Sequence, residues 1–445
     1  MGTLPLRSSP ILRPKAETLE AARTLPQVFR EIEKCRICGN GDIVAILSLG
    51  KQYLTGVFPR SGATTLSKGP LELVACNIEG NRKACGLIQL RQSYNLEEMY
   101  GDNYGYRSSL NRAMVKHLGD KVHHLVQQYP VRPGDLVLDI GSNDGTLLSF
   151  YPEGQITAVG IDPTAHKFAS FYGKHIIAIP DFFSANLWRE RFGTRKARIV
   201  TSIAMFYDLE NPLSFVKDVA SILDDEGVWH CEMSYLPALV GSMGYDTICH
   251  EHLEYYSLRQ IKWMTDQCGL KIVDVEFNRT NGGSFAITIA RRSSSHVENK
   301  AGLEELLRNE EADGLTTIRQ HRAFERAVKR HKDELLDLLR ELKAEKRAVL
   351  GYGASTKGNV MLQYCGISPD LLPAIADVNE DKFGCLTPGT NIPIISELEA
   401  HARKPDYFLV LPWHFRDNLI QRETAFLDRG GKMIFPLPTI EIVGA

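Results

Sequence analysis

The alternation of apolar and polar residues divides the chain into strand-like and helix-like stretches. Short alternating runs follow the cysteine pair near residue 35, and apolar runs such as LVLDI and ITAVGI near residues 136 and 156 end in glycine or acidic turns. Runs of this kind predict the strands of an α/β fold. Residues 298–346 instead carry Leu, Phe and Val at helical spacing among many charges, which predicts one or two long amphipathic helices.

These patterns predict several domains, because 445 residues exceed what one hydrophobic core usually holds. The second half of the chain repeats the plan of the first, with a strand, a glycine turn and a helix beginning near residue 349. The predicted boundaries are 1–30 for a flexible lead-in, 31–95 for a small metal-binding module, 96–295 for a cofactor-binding domain, 296–346 for a helical connection and 347–445 for a second Rossmann-like domain.

Composition argues against two classes of partner. The formal net charge is -2 and 24% of residues are charged, so no global basic field attracts nucleic acid. The chain has no run of about 18 apolar residues, the length that a membrane-spanning helix needs, and the N-terminus lacks the apolar centre of a signal peptide. We therefore expect a cytoplasmic protein, monomeric or homodimeric, with neither a nucleic-acid nor a membrane partner.

Four of the nine cysteines form two pairs. Cys35 and Cys38 make a C-x-x-C turn, and Cys76 and Cys85 lie in a predicted hairpin. Two thiolates on a tight turn occupy two corners of a tetrahedron, and the second pair completes it, so we predict a structural zinc that does not activate water. A redox C-x-x-C, or merely buried cysteines, remains the alternative.

The segment from Asp135 to Asp162 has the order of a nucleoside-binding βαβ unit. Its turn reads GSNDG, and Asp162 ends the second strand, where a carboxylate holds ribose hydroxyls. The acidic Asp144 in the turn repels a pyrophosphate and suits a ligand with a cationic amino-acid end, which favours S-adenosylmethionine over NAD. A seven-stranded sheet follows, ending in an antiparallel pair. The predicted cofactor-binding residues are Asp139, Gly141, Ser142, Asn143, Gly145, Asp162, Asp181 and Phe182.

The stretch TICHEHLEYYS at 247–257 gathers groups that transfer protons. His250 and His252 are two residues apart, a spacing that argues against a shared metal and favours acid–base chemistry. A histidine of this stretch is a candidate base, and a carboxylate such as Glu251 or Glu254 is expected to raise its basicity or fix its ring. For His250, a structural hydrogen bond to Glu254 is an equal alternative.

The second glycine turn, GYGASTKGN at 351–359, carries Lys357 where the first turn has an acid, and Asp377 ends the next predicted strand. Backbone amides and an ammonium suit a phosphate group. The turn does not match the P-loop pattern, so we exclude an ATPase. A purely structural glycine turn remains the alternative.

With the four cysteines, DNYGYRSSLN at 102–111, ICHEHLEYYS at 248–257 and GYGASTKGN, the chain from Cys35 onward resembles the three-domain C-methyltransferases of nucleotide-sugar biosynthesis. This group contains the TDP-4-keto-6-deoxyhexose 3-C-methyltransferases. The resemblance implies a zinc module, a class I methyltransferase domain and a C-terminal Rossmann-like domain. It also implies S-adenosylmethionine and structural zinc as cofactors, and a nucleotide-sugar substrate.

The resemblance further implies that His252 removes the proton next to a sugar ketone, with Glu251 assisting. Cys249 and Asp208 depart from the family, since relatives often carry Tyr at the first position and a histidine near the second. The implied catalytic residues are His252, Glu251, His250, Tyr104 and Tyr106. The implied substrate-binding residues are Arg107, Ser108, Asn111, Tyr255, Asn281, Tyr352, Ser355, Lys357 and Asn359.

Three other functions compete. An NAD-dependent sugar oxidoreductase would use GYGAS for a dinucleotide, although the acidic first turn argues against it. A zinc-ribbon RNA methyltransferase would need a basic stripe that the cysteine region lacks. Small-molecule O- or N-methylation needs fewer proton-transferring side chains than residues 247–257 provide.

Overall fold

The computed structural model describes residues 28–60, 66–81, 83–95, 99 and 106–444. Tyr104 and almost all of the predicted lead-in 1–30 lie outside these described residues. The strands are β1 Phe29–Glu31, β2 Ile43–Tyr53, β3 Lys68–Cys76, β4 Ile88–Leu90, β5 Gln92–Tyr94, β6 Leu136–Ile140, β7 Thr157–Ile161, β8 Ile176–Ile179, β9 Ala197–Ile203, β10 Leu223–Ser234, β11 Glu254–Tyr255, β12 Leu270–Asn278, β13 Ser284–Arg291, β14 Val349–Tyr352, β15 Ile375–Asp377, β16 Ile394–Ser396, β17 Tyr407–Val410, β18 Lys432–Phe435 and β19 Glu441–Val443. The α-helices are α1 Arg112–Gln128, α2 Ala185–Phe192, α3 Pro212–Ile222, α4 Leu236–Gly241, α5 Leu258–Gln267, α6 Lys300–Ala312, α7 Ile318–Ala344, α8 Thr356–Cys365, α9 Glu397–Ala402, α10 Arg416–Arg422 and α11 Thr424–Leu427.

The N-terminal sheet has the order β11-β4-β3-β2. The predicted hairpin pairs β3 with β4, with Val74 opposite Gln89. The fourth strand comes from far along the chain, because Tyr255 of β11 pairs with Ile88 of β4. Backbone hydrogen bonds therefore join the segment that carries His252 to the cysteine module.

The central sheet has seven strands and ends in an antiparallel pair, as predicted. Its order is β12-β13-β10-β9-β6-β7-β8, and β13 runs antiparallel to both neighbours. All five residues of β6 are buried, which explains its unbroken apolar run, since other elements cover both faces of a parallel sheet. The helix predicted after β6 is wrong. Instead of the predicted α-helix, β6 is followed by a single 3-10 turn, Leu148–Phe150. Pro152, two residues after this turn, prevents the turn from continuing as a helix.

The C-terminal sheet has the order β16-β15-β14-β17-β18-β19, with all neighbours parallel except β18 and β19. Its first unit, β14, the glycine turn, α8 and β15, repeats the plan of the central sheet. The α/β class with two Rossmann-like sheets is confirmed.

The connection predicted to be helical contains α6 and α7. Helix α7 buries a stripe that includes Phe324, Val328 and Leu335, and this stripe joins a hydrophobic core shared by the cysteine module and the C-terminal sheet. Among the described residues, no helix is both long enough and apolar enough to cross a membrane.

Candidate active site

The four predicted zinc ligands meet in one cluster, with their sulfur atoms all within 4.8 Å of one another. The Cys35 and Cys85 sulfurs are 3.5 Å apart, as are those of Cys38 and Cys76. A Zn–S bond of about 2.3 Å gives tetrahedral sulfur edges of about 3.8 Å, so the cluster fits the ion. Contacts with Cys35 and the other two cysteines raise the pKa of the Cys85 thiol, and a divalent cation would offset this crowding of thiolates.

Arg36, inside the C-x-x-C turn, ties the cluster to the segment that carries His252. Its guanidinium donates to the carbonyls of Leu90 and Gln92 at 2.5 and 3.2 Å. Its Nε lies 3.7 Å from the buried carboxyl of Glu254. Burial raises the pKa of Glu254 well above its usual range, and Arg36 counteracts this rise. The zinc turn therefore holds one end of the 247–257 segment.

A cavity of about 260 Å³ opens at the carboxyl ends of β6 and β7. Every predicted cofactor residue except Gly145 lines it. Asp162, at its floor, accepts hydrogen bonds from the Asn143 amide at 2.8 Å and the Thr164 amide at 2.6 Å. These amides fix the carboxylate in place, and its remaining lone pairs can accept ribose hydroxyls.

Two glycines allow the turn after β6 to fold tightly. Gly141 and Gly145 have φ values of +74° and +75°, which side chains with a Cβ rarely adopt. A Cβ on Gly141 would lie 2.9 Å from Met205 Cγ, and one on Gly145 would lie 2.9 Å from the ring of Tyr172. Gly145 does not line the cavity, but its missing side chain makes room for the Tyr172 ring. The Tyr172 hydroxyl donates to the Asn143 carbonyl at 2.8 Å and so supports the turn.

The segment 106–109 is tied across the cavity by the polar residues of the same turn. The Ser108 amide donates to Asn143 Oδ1 at 3.0 Å, and the Ser109 amide donates to the carboxylate of Asp144 at 3.0 Å. Tyr106 and Ser108 thereby become part of the cavity wall. The acidic turn therefore also has a structural role, because it holds the backbone of residues 108 and 109 in addition to its predicted preference for a cationic ligand.

Two further predicted substrate-binding residues, Arg107 and Asn111, have partners within the protein. The Arg107 guanidinium lies 4.4 Å from the centre of the Phe171 ring. Asn111 caps α1, accepting hydrogen bonds from the amides of Ala113 and Met114. Both positions lie beside the cavity but are held by the protein itself.

His252 has a defined tautomer. Its Nδ1–H donates to the Thr247 carbonyl at 2.7 Å, so in the neutral ring the lone pair lies on Nε2. Its ring packs edge-on against Tyr207 at 4.5 Å. Burial and the nearby Lys357 charge lower the pKa of His252 to about 4, which keeps the ring neutral at physiological pH. A backbone carbonyl, rather than the expected carboxylate, orients this ring.

Glu251 and Cys249 lie beside His252, with the three candidate ligand atoms within 4.8 Å of one another. The Cys249 thiol donates to Glu251 Oε2 at 3.8 Å. Burial raises the pKa of Glu251 to about 7, so its protonated and ionised forms are both populated near neutral pH. Gly56 of the cysteine module leaves room for it, since a Cβ there would lie 2.4 Å from Glu251 Oε1.

His250 points away from this group. Its Nε2–H donates to the Gln52 carbonyl at 3.2 Å, and its ring packs edge-on against Tyr94 at 4.6 Å. The alternative bond to Glu254 does not form. Tyr255 is buried, and its hydroxyl donates to the His252 carbonyl at 3.2 Å. These two side chains hold the segment in position.

Lys357 reaches into the site from the C-terminal sheet. Its ammonium donates to the carbonyl of Asn281 at 2.9 Å, in a turn where Asn281 adopts a φ of 55°. Burial lowers the pKa of Lys357, and the nearby Asp246 carboxylate counteracts this. The Trp413 indole donates to that carboxylate at 2.8 Å. A partly buried positive charge thus lies near His252.

Three predicted substrate residues lie in the interface or core of the C-terminal sheet. The Asn359 amide donates to the Thr55 carbonyl at 2.7 Å, which ties α8 to the cysteine module. Ser355 caps α8 by accepting from the Gly358 amide. The Tyr352 hydroxyl donates to Glu423 at 2.7 Å inside the sheet's own core. The structure does not bring these three side chains next to His252.

One turn connects the cavity with His252. Met205 and Asp208 line the cavity, and Tyr207 between them packs against the His252 ring. The Leu253 amide donates to the Tyr207 carbonyl at 2.7 Å. The cavity and the group of Cys249, Glu251 and His252 therefore lie on two sides of one 3-10 turn, Phe206–Asp208.

Known families match along most of the chain. The matching models are a zinc binding domain at residues 35–100, a methyltransferase domain at 110–275 and a C-methyltransferase C-terminal domain at 279–438. The C-methyltransferase NovU of Streptomyces niveus is 30% identical over 427 residues, covering 95% of this chain and 99% of that protein. The chain belongs to this C-methyltransferase family.

Solved structures also resemble part of this C-methyltransferase. Magnesium protoporphyrin IX methyltransferase of Synechocystis PCC 6803, with bound S-adenosylhomocysteine, is 17% identical and covers 44% of this chain and 91% of its own, with a TM-score of 0.32. An S-adenosylmethionine-dependent methyltransferase of Clostridium acetobutylicum ATCC 824 is 13% identical. The match covers 40% of this chain and 92% of that one, also with a TM-score of 0.32.

The family and the geometry agree on the cofactors. The enzyme is an S-adenosylmethionine-dependent C-methyltransferase with a structural zinc at the four cysteines, and the cavity around Asp162 carries the residues predicted to bind the methyl donor. The set of four protein ligands closes the zinc site, so this ion supports the fold and leaves the chemistry to other residues.

Sequence reasoning missed several residues of the site. Asp246 and Trp413 contact each other beside the Lys357 charge, and neither belongs to a recognisable motif, whereas Thr247 opens the 247–257 stretch but has no predicted role. A signal existed for Trp413, because it follows the apolar strand β17 at the edge where parallel strands collect ligands. Thr247 acts through its backbone, which no side-chain pattern reveals.

Proposed function

We propose that this C-methyltransferase methylates the carbon next to the ketone of a nucleotide-linked 4-keto-deoxy sugar, and that His252 removes the proton from that carbon. The observation that carries this proposal is the bond from His252 Nδ1 to the Thr247 carbonyl, which leaves the lone pair on Nε2, beside the turn that borders the methyl-donor cavity. A carbon next to a ketone becomes nucleophilic only after it loses a proton.

The residues around His252 match the charges that develop in such a reaction. Removal of the proton places negative charge on the ketone oxygen, and buried donors stabilise it. Glu251 in its protonated form donates a hydrogen bond to this oxygen, and the Lys357 ammonium supplies positive charge. S-adenosylmethionine supplies the methyl group when bound. O- or N-methylation would not need this set of groups.

The sugar substrate rests on a separate line of support. The motifs DNYGYRSSLN, ICHEHLEYYS and GYGASTKGN resemble those of nucleotide-sugar C-methyltransferases, and the structure surrounds the 247–257 segment with all three parts of the fold. The diphosphate lies at the amino end of α8, whose free amides and Lys357 favour anions.

Deuterium exchange tests the role of His252. We expect the wild-type enzyme, incubated in deuterated water with a panel of nucleotide 4-keto sugars, to exchange the hydrogen next to the ketone of its substrate. His252→Asn is expected to lose this exchange and about 100-fold or more in turnover, the scale of general-base catalysis, while keeping its affinity for S-adenosylmethionine.

His250→Asn is the matched control, because it changes the neighbouring histidine, which contacts Gln52 instead of the reacting group. It is expected to keep the exchange. Exchange that survives in His252→Asn would assign the base to another residue. Product analysis with methyl-labelled S-adenosylmethionine checks the reaction type, since a label on oxygen or nitrogen would refute C-methylation of the sugar.

A further inference from the structure

Cys249, Glu251 and His252 form a second group of metal-ligating side chains, separate from the four cysteines. Their ligand atoms lie within 4.8 Å of one another, and the Cys249 sulfur is 3.8 Å from Glu251 Oε2. Zinc bonds of about 2.3 Å to sulfur and about 2.1 Å to oxygen give a tetrahedral edge of about 3.6 Å. The thiol and the carboxylate therefore already have nearly the spacing of two zinc ligands.

The orientation of His252 gives independent support. A metal-bound histidine usually donates its other ring N–H to a carboxylate or a backbone carbonyl, which fixes the ring and the tautomer. His252 makes this bond to the Thr247 carbonyl at 2.7 Å and leaves Nε2 as the ligating nitrogen. Gly56 keeps the space beside Glu251 clear of any side chain of its own.

Charge also favours a divalent ion here. A thiolate and a carboxylate together neutralise a doubly charged cation, so the complex carries no net charge into a partly buried site. The neighbouring ammonium of Lys357 then faces a neutral group instead of a bare cation. The histidine spacing that argues against a metal in the sequence does not apply, because His250 turns to Gln52 and Cys249 takes its place.

We propose that Cys249, Glu251 and His252 bind a second thiophilic divalent cation, such as zinc, and that this ion inhibits the enzyme. Binding breaks the S–H bond of Cys249 and the O–H bond of protonated Glu251, forms a sulfur–metal and an oxygen–metal bond, and releases both protons to solvent without any change of oxidation state. Three protein ligands leave one coordination position open. Inhibition follows because the metal occupies the Nε2 lone pair, and this half of the proposal rests on the proposed role of His252.

Cobalt binding tests the site without reference to activity. The enzyme, with its four-cysteine site filled with zinc, is titrated with Co²⁺ and followed by its absorption spectrum. We expect one equivalent to produce a thiolate-to-cobalt charge-transfer band and intense tetrahedral bands. Cys249→Ala is expected to lose these bands. Cys268→Ala, at a partly buried cysteine just after α5, is the matched control and is expected to keep them.

An absence of bands in the wild type, or unchanged bands in Cys249→Ala, would overturn the site. Because Cys249 is fully buried, its variants can fold poorly, so X-ray absorption of the wild type with two equivalents of zinc provides a second measurement. We expect a mixed sulfur, nitrogen and oxygen environment. A purely sulfur environment in protein that retains the second equivalent would contradict the proposal.

Activity then tests the inhibitory half. One equivalent of zinc beyond the structural ion is expected to lower turnover by about 100-fold, the scale of losing a general base, and a chelator too weak to empty the four-cysteine site should restore it. Bound cobalt with undiminished turnover would overturn inhibition and would move the base away from His252. Failure of both activity and deuterium exchange in enzyme that holds only the structural zinc would instead refute the proposed function.

Discussion

At Gly56 the cysteine module closely approaches Glu251 of the acid–base group. Its missing side chain leaves the space that the carboxyl of Glu251 occupies, and Thr356 Oγ1 of α8 lies just beyond, 3.7 Å from the position of a Cβ. All three parts of the fold therefore meet within one side chain's width. A single methyl group at this position is enough to disturb the geometry.

We expect Gly56→Ala to lower turnover by roughly 10- to 100-fold, because the added Cβ would lie 2.4 Å from Glu251 Oε1 and displace a group whose position matters to about 1 Å. Gly41→Ala in the same module is the control, since no described atom lies within 4 Å of its Cβ position. Steady-state kinetics and thermal melting of both variants provide the measurement. Equal turnover in the two variants would contradict the assignment.

The pH profile of kcat/KM distinguishes His252 from Glu251 as the base. The pKa of His252 is lowered to about 4 by burial, and a base must be neutral, so activity should rise through about pH 4. The pKa of Glu251 is raised to about 7 by burial, and a donor must be protonated, so activity should fall through about pH 7.

Glu251→Gln keeps a hydrogen-bond donor but cannot ionise. We expect it to remove the alkaline limb and to keep the acid limb. If activity instead rises through about pH 7 in the wild type and this limb disappears in Glu251→Gln, then Glu251 is the base and His252 is not.

At the scale of elements, the two Rossmann-like units share one arrangement at their second strands. Asp162 follows β7 and Asp377 ends β15, and each accepts one amide from the glycine turn before it and one from two residues further on. Only the first arrangement faces the large cavity. In the second, the Lys382 ammonium lies 3.5 Å from Asp377, and Phe58 of the cysteine module packs on that ammonium at 4.8 Å.

Asp162→Ala is expected to weaken the binding of S-adenosylmethionine by about 1–3 kcal/mol, because the ribose hydroxyls lose their acceptor. Asp377→Ala removes the same pair of amide bonds from the other unit. It should lower the melting temperature without changing cofactor affinity. Calorimetry of both variants checks this, and equal loss of affinity would show that the effect at Asp162 is only structural.

At the scale of the whole molecule, zinc supports the site at a distance. The cysteine module contributes the Gln52 carbonyl to His250, the Thr55 carbonyl to Asn359 and the space at Gly56. By contrast, the described residues that line the methyl-donor cavity all fall between Tyr106 and Phe215. The two halves of the active site therefore depend differently on the metal.

Loss of zinc is expected to abolish turnover while sparing the binding of S-adenosylmethionine. Cys85→Ser removes one ligand, and the free energy of zinc binding that folds such a module, about 10–16 kcal/mol in small zinc peptides, is largely lost. Cys268→Ser is the control outside the cluster. Zinc content, calorimetry and turnover are measured together. A parallel loss of cofactor affinity in Cys85→Ser would mean that the module also folds the central sheet.

The sequence by itself determined the features that depend on neighbouring residues. Apolar runs predicted the seven-stranded sheet, and glycine turns and strand-end acids predicted the two Rossmann-like units, because strand periodicity and turn chemistry are local properties. Four thiols in two pairs likewise predicted one cluster, since zinc requires this set of ligands. The helix expected after β6 failed at a proline that limits the crossover to a 3-10 turn.

Only the tertiary structure decided how these parts meet. It selected the Thr247 carbonyl to orient His252, brought Lys357 to the Asn281 carbonyl 76 residues away, and turned His250 toward Gln52. Each of these contacts joins a side chain to a backbone carbonyl, and every residue type carries such a carbonyl. No pattern of residue types can reveal them, because their partners are set by how the sheets pack around a shared core.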